Sequence, residues 1–237
     1  RHHASESTKE YSQTLDWALK MILLVAVPAA VALTLLAEPI LVTLFFYGDV
    51  MTTRDMAMAA LSLRAYAIGL IAFMLIKVLA PGFFARQDMR TPVRIGVIAM
   101  VTNMVLNVLF VLPLHFYWQI GHVGLASATS VSAFLNAILL FWFLRKQGIY
   151  APTGQWRRFL IQLVIAVAVM FVALLMLSAE LGLLQSEVWQ QGNWLQRISG
   201  IGMVCTAGLL VYILVLFVLG FRPADLRGPA KATSRGH

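Results

Sequence analysis

Sixty per cent of the 237 residues are hydrophobic and only 12% are charged, and the mean hydropathy of +0.83 excludes an ordinary soluble domain. The net charge of +8 lies mainly in short segments between long apolar runs, so it indicates membrane topology rather than nucleic-acid binding. The single cysteine, Cys205, excludes an internal disulfide, and the sequence contains no metal-ligand cluster, phosphate-binding glycine loop or nucleophile elbow. No initiator methionine or signal peptide opens the chain, which is what we expect of a piece of a longer protein.

The first predicted span runs from about Asp16 to Ala37 and follows a polar segment at residues 1–15. Pro28 lies near its middle, where a proline bends a membrane helix and frees a carbonyl that must find another donor. Glu38-Pro39 ends the span. The next apolar stretch, Ile40 to Tyr47, is too short to cross a bilayer and is predicted to lie at the outer interface.

The second predicted span, about Met56 to Ala80, carries Arg64 and Lys77 within its apolar run. It stops at Pro81-Gly82, because proline cannot continue the hydrogen-bond ladder of a helix. A basic turn follows and leads into the third span, about Val93 to Leu112, which is predicted to stop at Pro113 and to be followed by a short loop over residues 115–122.

The remaining spans are predicted at about Val123 to Leu144, Phe159 to Ala179 and Ile198 to Leu219. Two of them carry small side chains along one face, which favours close helix packing: Gly124, Ala128 and Ser132 in the fourth span, and Ser199, Gly202 and Thr206 in the sixth. The tail from Arg222 is basic, contains two prolines and is predicted to be disordered.

The distribution of basic residues predicts that both ends of the chain are cytoplasmic. Only Arg54 and Arg197 fall in segments predicted to lie outside, while Arg64 and Lys77 stay within the membrane. All other basic residues that we assigned lie inside: Arg1, Lys9, Lys20, Arg86, Arg90, Arg94, Arg145, Lys146, Arg157, Arg158, Arg222, Arg227, Lys231 and Arg235.

The segment around the basic turn, KVLAPGFFARQDMRTPV at residues 77–93, resembles the signature segment of the MurJ (MviN) lipid II flippases. That family belongs to the multidrug/oligosaccharidyl-lipid/polysaccharide exporter superfamily. The resemblance implies an all-α polytopic membrane protein in which six transmembrane helices form part of a two-lobe, fourteen-helix exporter fold. This chain then supplies about helices 9–14.

The resemblance also implies a domain organisation. A cytoplasmic segment at 1–15 precedes four helices of the second lobe at 16–144, a cytoplasmic loop at 145–158, a terminal helix pair at 159–219 and a cytoplasmic tail at 220–237. The first lobe, which in relatives contributes most of the cavity arginines, lies outside this sequence, so the missing N-terminal half of the same protein is an expected partner.

The function implied by the resemblance is translocation of lipid II, an undecaprenyl-pyrophosphate-linked precursor, from the inner to the outer leaflet of the bacterial inner membrane by alternating access. Such a transporter needs no catalytic residue, metal or cofactor, and its partners are lipid II and membrane lipids. One alternative is a superfamily exporter for other polyprenyl-linked oligosaccharides or for drugs. Another is a membrane enzyme, whose paired acids would have to come from Glu38, Asp49 and Asp55, a near-cluster that Arg54 interrupts.

Arg64 is the strongest candidate for a substrate-binding residue, because it lies about nine residues, hence ~13 Å, into its span. A cation at that depth suits the pyrophosphate of a lipid-linked sugar, and the alternative is an arginine that snorkels or pairs with a structural carbonyl. Lys77, about 140° further around the helix, is the second cavity candidate, with headgroup anchoring as its alternative.

Weaker candidates are Arg86 and Arg90, which fit topology signals better than ligands, and Asn103 and Asn107, whose side chains share one helix face. The two amides alone make a weak cation site, so interhelical hydrogen bonding is the better interpretation, and the same holds for Asn136 and Gln162. In the resembled family the last two helices are thought to line a groove for the polyprenyl tail. In this sequence only the apolarity of the fifth and sixth spans agrees with that idea.

Overall fold

The computed structural model describes residues 2–47, 52–84, 87–118, 120–152, 154–184, 189 and 193–221, and within these residues the chain is helical and contains no strand. The helices are α1 (His2–Leu35), α2 (Ala37–Phe45), α3 (Thr53–Leu79), α4 (Pro81–Phe84), α5 (Arg90–Trp118), α6 (Gly121–Lys146), α7 (Trp156–Glu180) and α8 (Trp194–Val218).

Six of these helices, α1, α3 and α5 to α8, are long and apolar enough to cross a membrane, which confirms the six predicted spans. Consecutive spans run in opposite directions, so their connections alternate between two ends of the bundle. We name the end that carries α2 and the α7–α8 connection the α2 end. The opposite end, with α4 and the 147–155 connection, is the basic end.

The third span departs from its predicted end. Helix α5 continues through Pro113 to Trp118, so the loop predicted over residues 115–122 is wrong, and α6 begins already at Gly121. Proline inside a membrane helix is tolerated where neighbouring groups satisfy the freed backbone. The connection between α5 and α6 is therefore a tight turn, in which the amide of Ile120 donates to the Leu114 carbonyl at 3.0 Å.

The carbonyl that Pro28 frees in the first span is met by a contact from the last span. Pro28 has no amide proton, so the carbonyl of Leu24 four residues earlier loses its helical donor. The hydroxyl of Tyr212 in α8 donates to that carbonyl at 2.7 Å. The freed carbonyl therefore has a hydrogen-bond donor from another helix, as the proline in the sequence predicts.

Small residues allow α5 and α6 to approach closely, as predicted for one of the two small-residue faces. A Cβ atom at Gly124 would lie 2.9 Å from the backbone carbon of Phe110. The second predicted face is wrong: Ser199, Gly202 and Thr206 are exposed, and a Cβ atom at Gly202 meets nothing within 4 Å. The face of α8 that packs is the one with Val204, Gly208, Tyr212 and Leu216.

The hydrophobic core has two main parts, and α1 contributes to both. The first half of α1 joins a cluster with α3, α4 and α6 that includes Leu15, Leu19, Leu79, Phe83 and Leu144. The second half joins a cluster with α7 and α8 that includes Leu24, Met170, Leu174, Val204 and Tyr212. Burial of these apolar side chains against α1 connects the helices of the first four spans to the last pair.

Candidate functional site

Arg64 lies in α3 and points toward the junction between α1 and α2. Its Nε donates to the carbonyl of Thr34 at 3.2 Å, and its Nη2 lies 3.9 Å from Oε2 of Glu38. Thr34 belongs to the last turn of α1, where carbonyls lack helical donors and the helix dipole favours a cation. The side chains of Arg64 and Glu38 remain 38% and 29% exposed, so the pair is open on one side.

Helix α2, which carries Glu38, is fastened by two side chains from the far end of the chain. Trp189 donates through its indole nitrogen to the hydroxyl of Thr43 at 3.1 Å and to the carbonyl of Pro39 at 3.3 Å. Arg197 donates from Nη1 to the carbonyls of Phe46 at 3.1 Å and Val42 at 3.4 Å. These bonds tie α2 to the far end of the chain, and the bond to Phe46 supplies a donor to a carbonyl that follows the last turn of α2.

The sequence indicates only that Arg197 is a charge on the outer side, and it does not indicate the contacts that Arg197 makes with α2 and Tyr47. Its residue is 5% exposed, and its guanidinium lies 5.7 Å from the centre of the Tyr47 ring. A cation above an aromatic ring is attracted by the ring's quadrupole. Arg197 is thus a buried structural cation, and no local sequence signal separates it from an exposed one.

Lys77 is exposed near the basic end of α3, and it makes no ion pair or hydrogen bond with the residues that the structure describes. It lies 13 residues from Arg64, which corresponds to about 20 Å along the helix axis. The structure therefore does not bring the two predicted cations together. Their shared role in one cavity stays a prediction.

The basic turn owes its shape to Asp88. One carboxylate oxygen accepts the amides of Arg90 at 3.1 Å and Thr91 at 3.0 Å, and the other accepts the Thr91 hydroxyl at 2.6 Å. These bonds, led by the Thr91 hydroxyl, lower the pKa of Asp88 below its ordinary value. Arg90 is exposed at the first position of α5, while Arg86 lies outside the described residues.

The Pro-Gly-Phe part of the same segment packs against the rest of the basic end. Phe83 is fully buried, and a Cβ atom at Gly82 would lie 2.9 Å from Leu144 and 3.1 Å from the hydroxyl of Tyr11. Gln87 follows with a φ of 60°, a left-handed conformation that is uncommon for a residue other than glycine. The segment that carries the family resemblance is therefore a packed joint between α1, α3 and α6.

Asn103 and Asn107 form the interhelical network that was preferred over a cation site. The Asn103 amide donates to Ser132 at 3.0 Å and to Thr129 at 3.4 Å, both in α6. Asn107 donates to the Asn103 side-chain oxygen at 2.9 Å, so the two residues act as one unit.

Gln162 also bonds to the end of another helix, because its amide donates at 2.8 Å to the carbonyl of Leu219, the residue that follows α8. Asn136 makes no hydrogen bond within the described part of the chain, so its predicted interhelical bond is not found.

A buried polar cluster at the basic end was not predicted. Asp16 is 3% exposed, and its carboxylate lies 2.8 Å from Nζ of Lys20. The hydroxyl of Tyr150 donates to Asp16 at 2.7 Å, and the indole of Trp156 donates to the same oxygen. Burial, together with the nearby carboxylate, raises the pKa of Tyr150. Since 134 residues separate Asp16 from Tyr150, no local pattern indicates this cluster.

An apolar pocket of about 540 Å³ opens between α1, α7 and α8. It lies beside Pro28, and its walls include Leu24, Pro28, Met170, Leu174, Gly208 and Tyr212. Its size and its almost entirely apolar lining suit a hydrocarbon chain rather than a polar ligand. The last two spans both line this pocket, while the groove that the resemblance implies for them stays a prediction.

Comparison with known proteins gives a consistent result. A family model described as "Lipid II flippase MurJ" matches residues 1–191. The chain is 42% identical over 227 residues to the probable lipid II flippase MurJ of Vibrio cholerae, 40% over 229 residues to the lipid II flippase MurJ of Burkholderia cenocepacia and 37% over 232 residues to the probable lipid II flippase MurJ of Haemophilus influenzae.

These alignments cover 95 to 97% of the chain but only 41 to 43% of each relative, so the chain spans about two fifths of their length. The family match and the six membrane-spanning helices point the same way as the resemblance at residues 77–93. This chain belongs to the lipid II flippase MurJ family.

Proposed function

We propose that this chain is the C-terminal part of a lipid II flippase, which moves the undecaprenyl-pyrophosphate-linked precursor from the inner to the outer leaflet of the bacterial inner membrane. The observation that carries the proposal is the match to the flippase family along nearly the whole chain. The activity is transport, which breaks no bond, so the chain supplies binding and movement rather than a catalytic residue.

In this proposal residues 16–144 are four helices of the second lobe and residues 159–219 are the terminal pair of a fourteen-helix exporter. Residues 1–15, 145–158 and 220–237 lie on the cytoplasmic side. The chain offers one incomplete lobe, so the remainder of the substrate cavity comes from the N-terminal half of the full-length protein. Rocking of one lobe against the other exposes the cavity to each leaflet in turn.

Arg64 serves as the chain's principal cation for the diphosphate of the substrate. Its half-exposed guanidinium and its position within the apolar span support this role, because a cation there is costly unless it meets water or an anion. A planar guanidinium also matches phosphate oxygens through paired hydrogen bonds. Lys77, Arg86 and Arg90, nearer the basic end, are secondary contacts for a headgroup that enters from the inner leaflet.

The apolar pocket between α1, α7 and α8 is suited to part of the polyprenyl tail. Its lining offers hydrocarbon contacts over about 540 Å³, which is the chemistry that a long isoprenoid requires. The headgroup and the tail would then contact different parts of the chain, Arg64 in α3 and the pocket beside Pro28.

Cells that depend on the full-length protein as their sole lipid II flippase provide the test. Arg64→Gln should abolish growth while the protein still reaches the membrane, and Arg54→Gln, which changes an exposed arginine in the first turn of the same helix, should have no effect. Normal growth with Arg64→Gln would remove Arg64 from the proposed binding site.

A further inference from the structure

Arg64 makes a long ion-pair contact with Glu38 and a hydrogen bond with the carbonyl of Thr34. The Nη2 to Oε2 distance of 3.9 Å is longer than a hydrogen bond, so the two groups form an ion pair without a hydrogen bond between them. The bond from Nε to the Thr34 carbonyl, at 3.2 Å, orients the guanidinium plane. Arginine has five N–H donors, and this bond occupies one of them.

Glu38 projects from a helix that is held in place independently of Arg64. Trp189 and Arg197 bond to three acceptors in α2 and to the carbonyl of the residue that follows it, and α2 residues Ala37 and Val42 are completely buried. The backbone that carries Glu38 therefore stays where it is when the guanidinium changes partner. Glu38 is a stationary acid beside a cation whose remaining donors are accessible.

A carboxylate 3.9 Å from a guanidinium and a diphosphate that approaches the same guanidinium compete for one charge. The diphosphate carries more charge and offers paired oxygens in the spacing that a guanidinium prefers, so it displaces the weaker contact. After release of the diphosphate, the carboxylate again balances the cation. An arginine in an apolar span then never has to remain without an anion.

We propose that Glu38 is the resident counter-ion of Arg64. An anionic lipid diphosphate displaces Glu38 from Arg64 when the diphosphate binds, and Glu38 pairs with Arg64 again when the diphosphate leaves. This inference rests on the proposed function, because it takes Arg64 as the cation for the diphosphate. It assigns Glu38 as a positioning and release residue: its charge weakens substrate binding and speeds substrate departure.

Binding of undecaprenyl diphosphate to the purified full-length protein in detergent tests the proposal. Glu38→Gln removes the competing charge and keeps the shape of the side chain, so the affinity should rise about two- to fivefold, the range expected for a partly exposed ion pair. Arg64→Gln should weaken binding, and Glu38→Gln should have no further effect in that background. Undecaprenol, which has no diphosphate, should bind all variants equally.

The matched control is Glu180→Gln, which removes an exposed carboxylate from the end of α7 on the same side of the bundle and should leave affinity unchanged. Thermal unfolding verifies that each variant is folded. If Glu38→Gln does not fold, Glu38→Asp retains the charge on a shorter stem and should give a smaller gain in affinity.

In transport, Glu38→Gln should lower the turnover of lipid II while the concentration for half-maximal rate also falls, because release becomes slower. A simple packing role for Glu38 predicts weaker binding instead. Unchanged or weaker binding by Glu38→Gln, with Arg64→Gln still impaired, overturns the counter-ion role and leaves the proposed function standing. Unchanged binding by Arg64→Gln overturns the counter-ion role and also removes Arg64 from the proposed binding site.

Discussion

The Tyr212 hydroxyl donates to the Leu24 carbonyl at 2.7 Å, so the last membrane helix satisfies the backbone group that Pro28 leaves open in the first. A buried carbonyl without a donor costs free energy, most of all where water is absent. This bond joins two residues that are 188 positions apart in the chain, and both of them line the apolar pocket.

Tyr212→Phe should therefore destabilise the full-length protein by about 1–3 kcal/mol, the cost of leaving a buried acceptor unpaired. Thermal unfolding in detergent measures the effect. Pro28→Ala is the control background, because alanine restores the amide that bonds to Leu24 and should make the tyrosine change nearly neutral. An equal cost in both backgrounds would contradict the pairing of Tyr212 with the freed carbonyl.

Gly124→Ala should destabilise the packing of α5 on α6. The new Cβ would lie 2.9 Å from a backbone carbon of Phe110, which cannot turn aside as a flexible side chain does, so we expect a cost of about 1–3 kcal/mol. Gly202→Ala is the matched control, since open space surrounds that position and alanine is the better helix former. Equal unfolding temperatures for the two variants would argue against a close α5–α6 contact.

Asp16→Asn should cost about 2–4 kcal/mol in the free energy of unfolding, because it leaves the Lys20 ammonium without its buried carboxylate. Adding Lys20→Met to Asp16→Asn removes the stranded charge and should recover part of the loss. The double variant would be less stable than Asp16→Asn alone if Lys20 had a separate stabilising role. Denaturation of the three variants under identical conditions gives the comparison.

The orientation with both ends cytoplasmic is a prediction that labelling in intact cells can test. In a Cys205→Ser background, a membrane-impermeant maleimide should react with cysteine at Arg54 or Glu180, which are exposed at the α2 end. It should not react with cysteine at Gln87 or Gly154, at the basic end, until the cells are permeabilised. Reaction of the second pair in intact cells would reverse the orientation.

Features that follow from local chemistry were predictable from the sequence. The six spans follow from the length of the apolar runs, the break after α3 from Pro81, and the need for a donor to Leu24 from Pro28. Proline at position 113 was misinterpreted as a stop, because a proline signals a missing bond and not how the neighbours compensate for it.

Features that depend on distant partners were not predictable. The burial of Arg197 requires carbonyls of α2 that are more than 150 residues away, and the Asp16 cluster requires the 147–156 region. The small side chains at Ser199, Gly202 and Thr206 show that a periodic pattern identifies a possible contact face but not whether a neighbour covers it. From the sequence Glu38 belongs only to the Glu38-Pro39 break and to the acidic near-cluster of the enzyme alternative. Its position beside Arg64 arises from the turn between α1 and α2.

Because α1 contributes its first half to one hydrophobic cluster and its second half to the other, it links the two clusters. A tilt of the helices around α3 and α6 must either carry α7 and α8 with it or bend α1 between Leu19 and Leu24, where the two clusters meet. In the first case the pocket moves together with these helices. In the second case the mouth of the pocket, which opens between α1, α7 and α8, widens or narrows as α1 bends.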